Sequence, residues 1–150
     1  MPDFKLTVRT SEALEHVRNV LETRLEEIGI RAEDYAQRLT PVGTPESTGI
    51  EGYRGGTLRK SITHKVVGDR HKIGVYIGTN VKSPEGAPYA LYVELGTGIY
   101  ASDGNGRKNP WVWIDKNGKG HFTRGMRPQH MLKRAIADHI PEYRKILKKT

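Results

Sequence analysis

Residues 11–41 read SEALEHVRNVLETRLEEIGIRAEDYAQRLTP, and the longest predicted element of the chain lies in this stretch. Apolar residues recur in it at steps of three and four, which predicts one apolar stripe along an α-helix. Thr10 or Ser11 is expected to cap the start of this helix. Thr40 is expected to end it, because the residue before a proline disfavours helical angles. The stripe consists of Leu14, Val17, Leu21, Leu25, Ile28, Ala32, Tyr35 and Leu39.

The stripe has two interpretations: it is either core of this chain, or a surface that packs on a neighbouring copy. Hydrophobic residues make up 35% of the 150 residues, and 17 residues are glycine. This composition is lean in core residues, so we expect long loops and an oligomer that completes the burial. Gly29 lies inside the helix, where glycine costs about 1 kcal/mol relative to alanine, and marks a candidate bend.

After this helix the sequence indicates a long loop and a hairpin. Residues 40–56 combine Thr, Pro, Gly and Ser without an apolar period, and loops of this length are often functional. Residues 58–66 carry Leu, Ile and Val at one parity, and residues 73–77 alternate in the same way. Together they predict an antiparallel hairpin around a turn at residues 68–71.

Further along, the sequence indicates a short ambiguous segment and a second hairpin. Residues 89–95 suit either a strand or a short helix that stops at Gly96, since glycine takes the left-handed conformation of a helix end. Residues 111–114 and 121–123 are apolar or aromatic and flank Asn117-Gly118, a dipeptide typical of tight hairpin turns.

A C-terminal helix completes the predicted fold. Pro128 is expected to open it, and Pro141 either kinks it or starts a second short helix. We therefore expect one α+β domain spanning residues 1–150, in which an antiparallel sheet packs against a long N-terminal helix and a C-terminal helix. The core is expected within about residues 11–140, and the loops are long and rich in Gly and Pro. The apolar side of the last helix comprises Met131, Leu132, Ala135, Ile136 and Ile140.

Several classes of protein are excluded by the sequence. It contains no run of 18 apolar residues, so we expect no membrane-spanning helix, and residues 1–5 do not begin a signal peptide. The chain has no cysteine, which excludes disulfides and thiolate chemistry. Its six histidines show no metal-ligand spacing. We expect no cofactor, no metal and no catalytic constellation.

Charge is distributed unevenly along the chain. Residues 11–39 carry seven acids and four bases, whereas residues 107–150 carry twelve bases and three acids. The basic C-terminal segment, net +9, suits contact with nucleic acid or with an acidic protein surface, or is simply a solvated helix face.

This basic segment leaves one enzymatic and one binding alternative open. His64 and His121 would form an acid–base pair, as in a metal-free ribonuclease, if the fold joined them. Arg107 and Lys108 lie close in sequence to Trp111 and Trp113, a combination that can stack bases, although tryptophan in a hairpin is more often core. A basic nucleic-acid-binding module or small ribonuclease is therefore the alternative function.

Five short motifs follow one another in a defined order along the chain. They are TPVGT at residues 40–44, GTLRKSI at 56–62, IGTN at 77–80, YALYVELGT at 89–97 and PQHMLKRAI at 128–136. In this order, and over about residues 11–140, they resemble the head–tail joining (tail-completion) proteins of long-tailed bacteriophages, the gene-product-ten-like minor tail family.

The resemblance implies a structural role without enzymatic activity. It implies a ring, hexameric in the particle, at the head-proximal end of the tail, where the protein would bind itself, the head connector or stopper protein and the tail-tube protein. Such a protein is assembled in the host cytoplasm and ends in the virion tail. Genomic DNA would pass it without sequence-specific contact.

Candidate contact residues follow from the loop and the basic positions. In the loop, Thr44, Tyr53 and Arg54 are candidates for subunit or connector contact. Glu94, a lone carboxylate in an apolar segment, is either a hydrogen-bonded structural acid or a further subunit contact. The candidates for facing DNA are Arg59, Lys60, Arg107 and Lys108.

Overall fold

Helices and two short hairpins follow one another in the computed structural model, which describes residues 9–83 and 86–149. The architecture is α+β, as the sequence predicts. The expectation about a signal peptide at residues 1–5 lies outside the described residues. The elements are α1 Thr10–Leu39, α2 Pro45–Thr48, α3 Thr57–Ser61, β1 Thr63–Gly68, β2 Ile73–Gly78, α4 Tyr89–Leu95, a 3₁₀ turn Gly98–Tyr100, β3 Trp111–Ile114, β4 Gly120–Thr123, α5 Met131–Ala137 and α6 Ile140–Leu147.

Helix α1 spans 30 residues. Its C-terminal half packs against the other elements of the core. There Ala32 and Ala36 are fully buried, because their small side chains let other elements approach the helix closely. The N-terminal half differs: Leu14 is 69% exposed and Val17 is 53% exposed. The core interpretation of the stripe is therefore wrong for these two residues. The predicted cap is also wrong, since the helix already includes Thr10 and no side chain caps it.

The core consists of two clusters along α1. One joins α1 to α3 and α5, and the other joins α1 to α6. The second cluster includes Tyr143 and Ile146, so the core extends past residue 140. The Tyr143 hydroxyl donates to the Ala135 carbonyl at 2.6 Å and thereby ties α6 to α5. The buried members are Ala36, Leu58, Ile62, Met131 and Ala135 in one cluster, and Ile28, Ala32, Tyr143 and Ile146 in the other.

The first hairpin, β1–β2, packs on α1 and pairs Thr63 with Gly78 at one end and Gly68 with Ile73 at the other. The sequence places its first strand too early. Leu58 belongs to α3, whose Lys60 N–H donates to the Gly56 carbonyl. The parity shared by residues 58 and 62 is also the four-residue spacing of a helix, so the pattern alone does not separate the two structures.

The second hairpin, β3–β4, forms a separate two-stranded sheet instead of extending the first. Its base is a close crossing of two chain segments, in which the Thr97 N–H donates to the Met126 carbonyl at 2.9 Å and the Ile99 N–H to Arg124 at 3.1 Å. We call residues 107–127, which include this hairpin, the arm. The single sheet expected from the sequence is thus two sheets in the described part of the chain, because β3 and β4 pair with each other and not with β1 or β2.

The chain after the arm forms two helices. Helix α5 begins at Met131 instead of near Pro128, after His130 adopts a left-handed conformation with φ 49°. Pro141 lies in the first turn of α6, where proline is tolerated because the N–H it lacks would be unpaired. The second of the two alternatives for Pro141, a separate short helix, is confirmed. The segment at residues 89–95 is likewise a helix, and it stops at Gly96.

No helix within residues 9–83 and 86–149 has the length and apolarity that a membrane crossing demands.

Candidate assembly surfaces

One surface of the arm is apolar and exposed. Val112 pairs with Phe122 across the hairpin, and Ile114 lies two residues from Val112, so the three side chains share a face. They are 59%, 69% and 63% exposed, respectively. A contiguous cluster of exposed large apolar side chains is a candidate interaction surface. We call these three residues the outer face of the arm.

The opposite face of the arm holds its own structure together. The Trp113 ring stacks on the His121 ring with centroids 4.4 Å apart, and His121 Nε2 lies 2.7 Å from Asp115 Oδ2. Asp115 also accepts the backbone N–H groups of Asn117 and Lys119 in the turn. The bond to His121, with these N–H groups, lowers the pKa of the Asp115 carboxyl. The ring stacking and the hydrogen bonds of Asp115 therefore stabilise the hairpin that carries the outer face.

A groove lies beside the N-terminal half of α1. It has a volume of about 400 Å³ and runs between α1 and the β1–β2 turn. Its apolar lining comes from Leu14, Val17, Leu21 and Ile73. Two of these, Leu14 and Val17, are the exposed members of the α1 stripe. We call these four residues the helix groove.

The loop at residues 40–56 is more ordered than its composition suggests. Thr44 caps the short helix α2 in a reciprocal arrangement: Ser47 N–H donates to the Thr44 hydroxyl, and Thr44 N–H donates to Ser47 Oγ at 2.9 Å. The Tyr53 ring packs near Gly43, and both Tyr53 and Arg54 are exposed. The Thr44 hydroxyl is thus hydrogen-bonded within the loop, whereas Tyr53 and Arg54 lie at the surface.

Glu94 is hydrogen-bonded inside the molecule. Its two carboxylate oxygens accept the backbone N–H groups of Leu132 and Lys133, each at 2.9 Å. These N–H groups lie in the first turn of α5, where a helix has no internal acceptors. These hydrogen bonds are the ones expected if Glu94 is a structural acid, the first of its two interpretations.

Replacing Glu94 with alanine is expected to lower the free energy of unfolding by about 1–2 kcal/mol, the usual cost of losing a helix cap. Urea denaturation followed by circular dichroism measures the change. Glu12→Ala is the matched control, because Glu12 pairs with Arg9 at an exposed site on α1. Equal stabilities of the two variants would contradict the capping role.

The four predicted DNA-facing residues have different environments. Arg59 donates to the Thr40 carbonyl, with Nη2 at 2.7 Å, and so closes the C-terminal end of α1. Lys60 is exposed. In the arm, the Arg107 guanidinium lies 5.5 Å from the centre of the Trp111 ring, and Lys108 Nζ donates to the Gly104 carbonyl. Arg59 is therefore engaged in the fold, whereas the other three remain at the surface.

His64 and His121 lie in different sheets, and no hydrogen bond joins their rings. His64 sits between two carboxylates of α1: Nε2 is 2.8 Å from Glu26 Oε1, and Nδ1 is 2.6 Å from Glu33 Oε2. The bond to Glu26, followed by that to Glu33, raises the pKa of His64. Its imidazole therefore links β1 to α1, and the two carboxylates favour its protonated form.

The stabilisation from His64 is expected to depend on pH. Because the folded-state pKa is raised, this contribution is fully present below the unfolded pKa of about 6.5 and is lost as the pH rises through the folded pKa. The difference in unfolding free energy between the wild type and His64→Asn, measured from pH 5.5 to 9, should shrink with rising pH. Glu26→Gln should flatten this dependence, and a constant difference would contradict it.

Sequence reasoning missed the outer face of the arm and the carboxylates around His64. A signal for the first was present, since Trp111–Ile114 is apolar on both faces, more than a strand covering one core needs. The second carried no local signal, because Glu26 and Glu33 are about 30 or more residues away from His64. Within the described residues, no group of three or more His, Asp or Glu side chains could hold a metal ion.

Comparison with known proteins finds no matching family model, no matching curated protein and no matching solved structure.

Proposed function

We propose that this protein is a structural, non-enzymatic component of a bacteriophage tail. In this proposal it forms a ring, hexameric in the particle, at the head-proximal end of the tail and joins the tail tube to the head connector. The order of the five sequence motifs supports the assignment to a tail. The exposed apolar surfaces support a role in assembly.

The observation that carries the assembly role is the set of large apolar side chains that the described part of the chain leaves exposed. Phe122 and Leu14 are each 69% exposed, and Ile114 is 63% exposed. Burying such side chains against other subunits would stabilise the protein.

Charge segregation favours contacts between unlike surfaces. The arm carries six bases and one acid, and that acid, Asp115, is buried, whereas α1 carries an excess of acids. Unlike, mutually attractive surfaces produce head-to-tail association, and such contacts close into a ring when the rotation between subunits allows it. Exposed cations such as Lys60 and Arg107 would attract the phosphates of passing DNA, whatever its sequence.

Native mass spectrometry and light scattering of the purified protein test this proposal, alone and mixed with connector or tail-tube protein of the same phage. We expect the protein to form discrete rings, either by itself or when mixed with its partner. Electron micrographs of tails should show these rings at the head-proximal end. A protein that stays monomeric and binds neither partner would contradict it.

The arm also favours a second candidate, a nucleic-acid-binding module. Its support is the Arg107–Trp111 stack among exposed cations. Binding to DNA and RNA across a salt series distinguishes the two, because binding through phosphates weakens steeply as salt rises.

A further inference from the structure

We propose that Asn105 is a site of spontaneous deamidation, and that the fold leaves it reactive but protects a second asparagine of the same kind, Asn117. Two of the five asparagines in the chain precede a glycine, at Asn105-Gly106 and Asn117-Gly118. Glycine has no side chain to hinder attack by its own backbone nitrogen, so both pairs have the sequence that this reaction needs. The inference goes beyond the proposed function and does not depend on it.

The reaction converts the asparagine side chain into a carboxylate through a five-membered ring. The backbone nitrogen of the following glycine loses its proton to water and attacks the side-chain carbonyl carbon of the asparagine. A bond forms between these two atoms, the bond from that carbon to the side-chain nitrogen breaks, and the nitrogen takes up a proton and leaves as ammonia. Water then opens the succinimide at either of its carbonyl carbons, which produces aspartate or isoaspartate.

At Asn105 the groups that must react are not held by the fold. Asn105 is exposed. Within residues 9–83 and 86–149, neither its side-chain amide nor the Gly106 N–H takes part in a hydrogen bond. The hydrogen bond that Asn105 does make is on the other side of the residue, from its backbone N–H to Asp103 Oδ1 at 3.0 Å. The side chain can therefore turn toward the Gly106 nitrogen without breaking a contact.

At Asn117 the same groups are held in the turn of the second hairpin. The Gly118 N–H donates to the Asp115 carbonyl at 2.9 Å, which favours the protonated nitrogen, the form that cannot attack. The buried Asp115 carboxylate also accepts the N–H groups of Asn117 at 2.8 Å and Lys119 at 3.0 Å. Attack by the Gly118 nitrogen would first have to break its hydrogen bond and turn this peptide group out of the turn.

This difference gives an expected ratio of rates. Breaking the Gly118 hydrogen bond and loosening the two bonds to the Asp115 carboxylate should slow deamidation of Asn117 at least about tenfold relative to Asn105. The residues that flank the two pairs do not explain such a ratio, because a basic residue follows both, Arg107 in one case and Lys119 in the other.

Packing requires the glycine of the reactive pair and makes the product consequential. A Cβ at position 106 would collide with the Gly98 carbonyl oxygen and lie 2.6 Å from Ala101 Cβ. Isoaspartate at position 105 adds one backbone methylene group directly before this contact. Either product also adds a carboxylate beside Arg107, which lines the same cavity of about 360 Å³ as Asn105. Deamidation therefore changes both the charge and the packing at the base of the arm.

Ageing the folded protein at mildly alkaline pH tests the inference. Cation-exchange chromatography measures the loss of positive charge, and peptide mapping by mass spectrometry locates it. We expect one acidic step, located at Asn105, that is absent from Asn105→Ser. The matched control is Asn117→Ser, which should age as the wild type does. Isomerisation at Asp103-Gly104 leaves the charge unchanged, so it does not contribute to this readout.

Two further measurements separate the effect of the fold from that of the sequence. In urea both pairs lose their tertiary contacts, so the two rates should become similar. In the folded protein, Asp115→Ala removes the carboxylate that holds the turn, and should raise the rate at Asn117 without changing that at Asn105. Equal rates in the folded wild type, or a ratio that persists in urea, would overturn the inference. So would an Asn105 that stays intact in the folded protein over the time in which the denatured chain reacts.

Discussion

Replacing Gly98 with alanine is expected to lower the free energy of unfolding at the base of the arm by about 3 kcal/mol. Gly98 adopts φ +61°, a conformation that side chains disfavour. A Cβ there would also collide with the Arg124 carbonyl oxygen and lie 2.8 Å from Gly125 Cα. Since these are backbone atoms of the opposing segment, the crossing that carries the arm would have to open.

The two tryptophans make this effect measurable, because both Trp111 and Trp113 lie in the arm. In urea, tryptophan fluorescence reports on the arm and circular dichroism reports on the helices. We expect the fluorescence transition of Gly98→Ala to move to lower urea and to separate from the helical transition. Gly118→Ala is the matched control: φ is +80°, but no atom lies near its Cβ, so it should cost about 1 kcal/mol. Equal losses in both variants would refute the crossing as the cause.

Replacing Gly29 with alanine is expected to destabilise the protein by about 2 kcal/mol, although helix propensity alone would stabilise it by about 1 kcal/mol. Gly29 is buried where α1 meets the first hairpin. A Cβ at this position would collide with the His64 ring, with Cγ at 2.8 Å, and lie 3.0 Å from Val75. The imidazole would move away from Glu26 and Glu33 and lose their hydrogen bonds.

A double-mutant cycle separates the two effects. In a His64→Ala background the ring is gone, and Val75 remains near position 29. There Gly29→Ala should no longer destabilise, and should stabilise by up to about 1 kcal/mol. Chemical denaturation of the four proteins gives the coupling between the sites. Additive effects would show that the His64 ring is not what requires glycine.

Gly29 also shows where local reasoning about α1 stops. The sequence marks it as a candidate bend, whereas the structure places it under the ring of His64 in β1. The helix itself was predictable, because its periodicity extends over residues 11–39 and ends before Pro41. What lies on each part of the helix was not, since Leu14 and Ile28 carry the same local signal but only Ile28 is buried.

The hairpins also combine features that the sequence predicts with features that it does not. Both turns carry local signals, and Asn117-Gly118 indicates the second one clearly. The base of β3–β4 depends on the crossing of Gly98 with Gly125, which lie 27 positions apart and meet only in the folded chain. Likewise, Glu94 could be recognised as unusual, but its partners in α5 are nearly 40 residues away.

The amino-acid sequence alone predicts the class of structure, the long helix, the two hairpin turns, the charge asymmetry and the absence of cysteine chemistry. These depend on period, composition and short-range backbone preferences, which are written in neighbouring residues. The folded structure was needed to show which half of α1 is covered, that the arm exposes Phe122, and that His64 lies between Glu26 and Glu33. Burial and ion pairing depend on groups brought together from distant positions, so no local pattern specifies them.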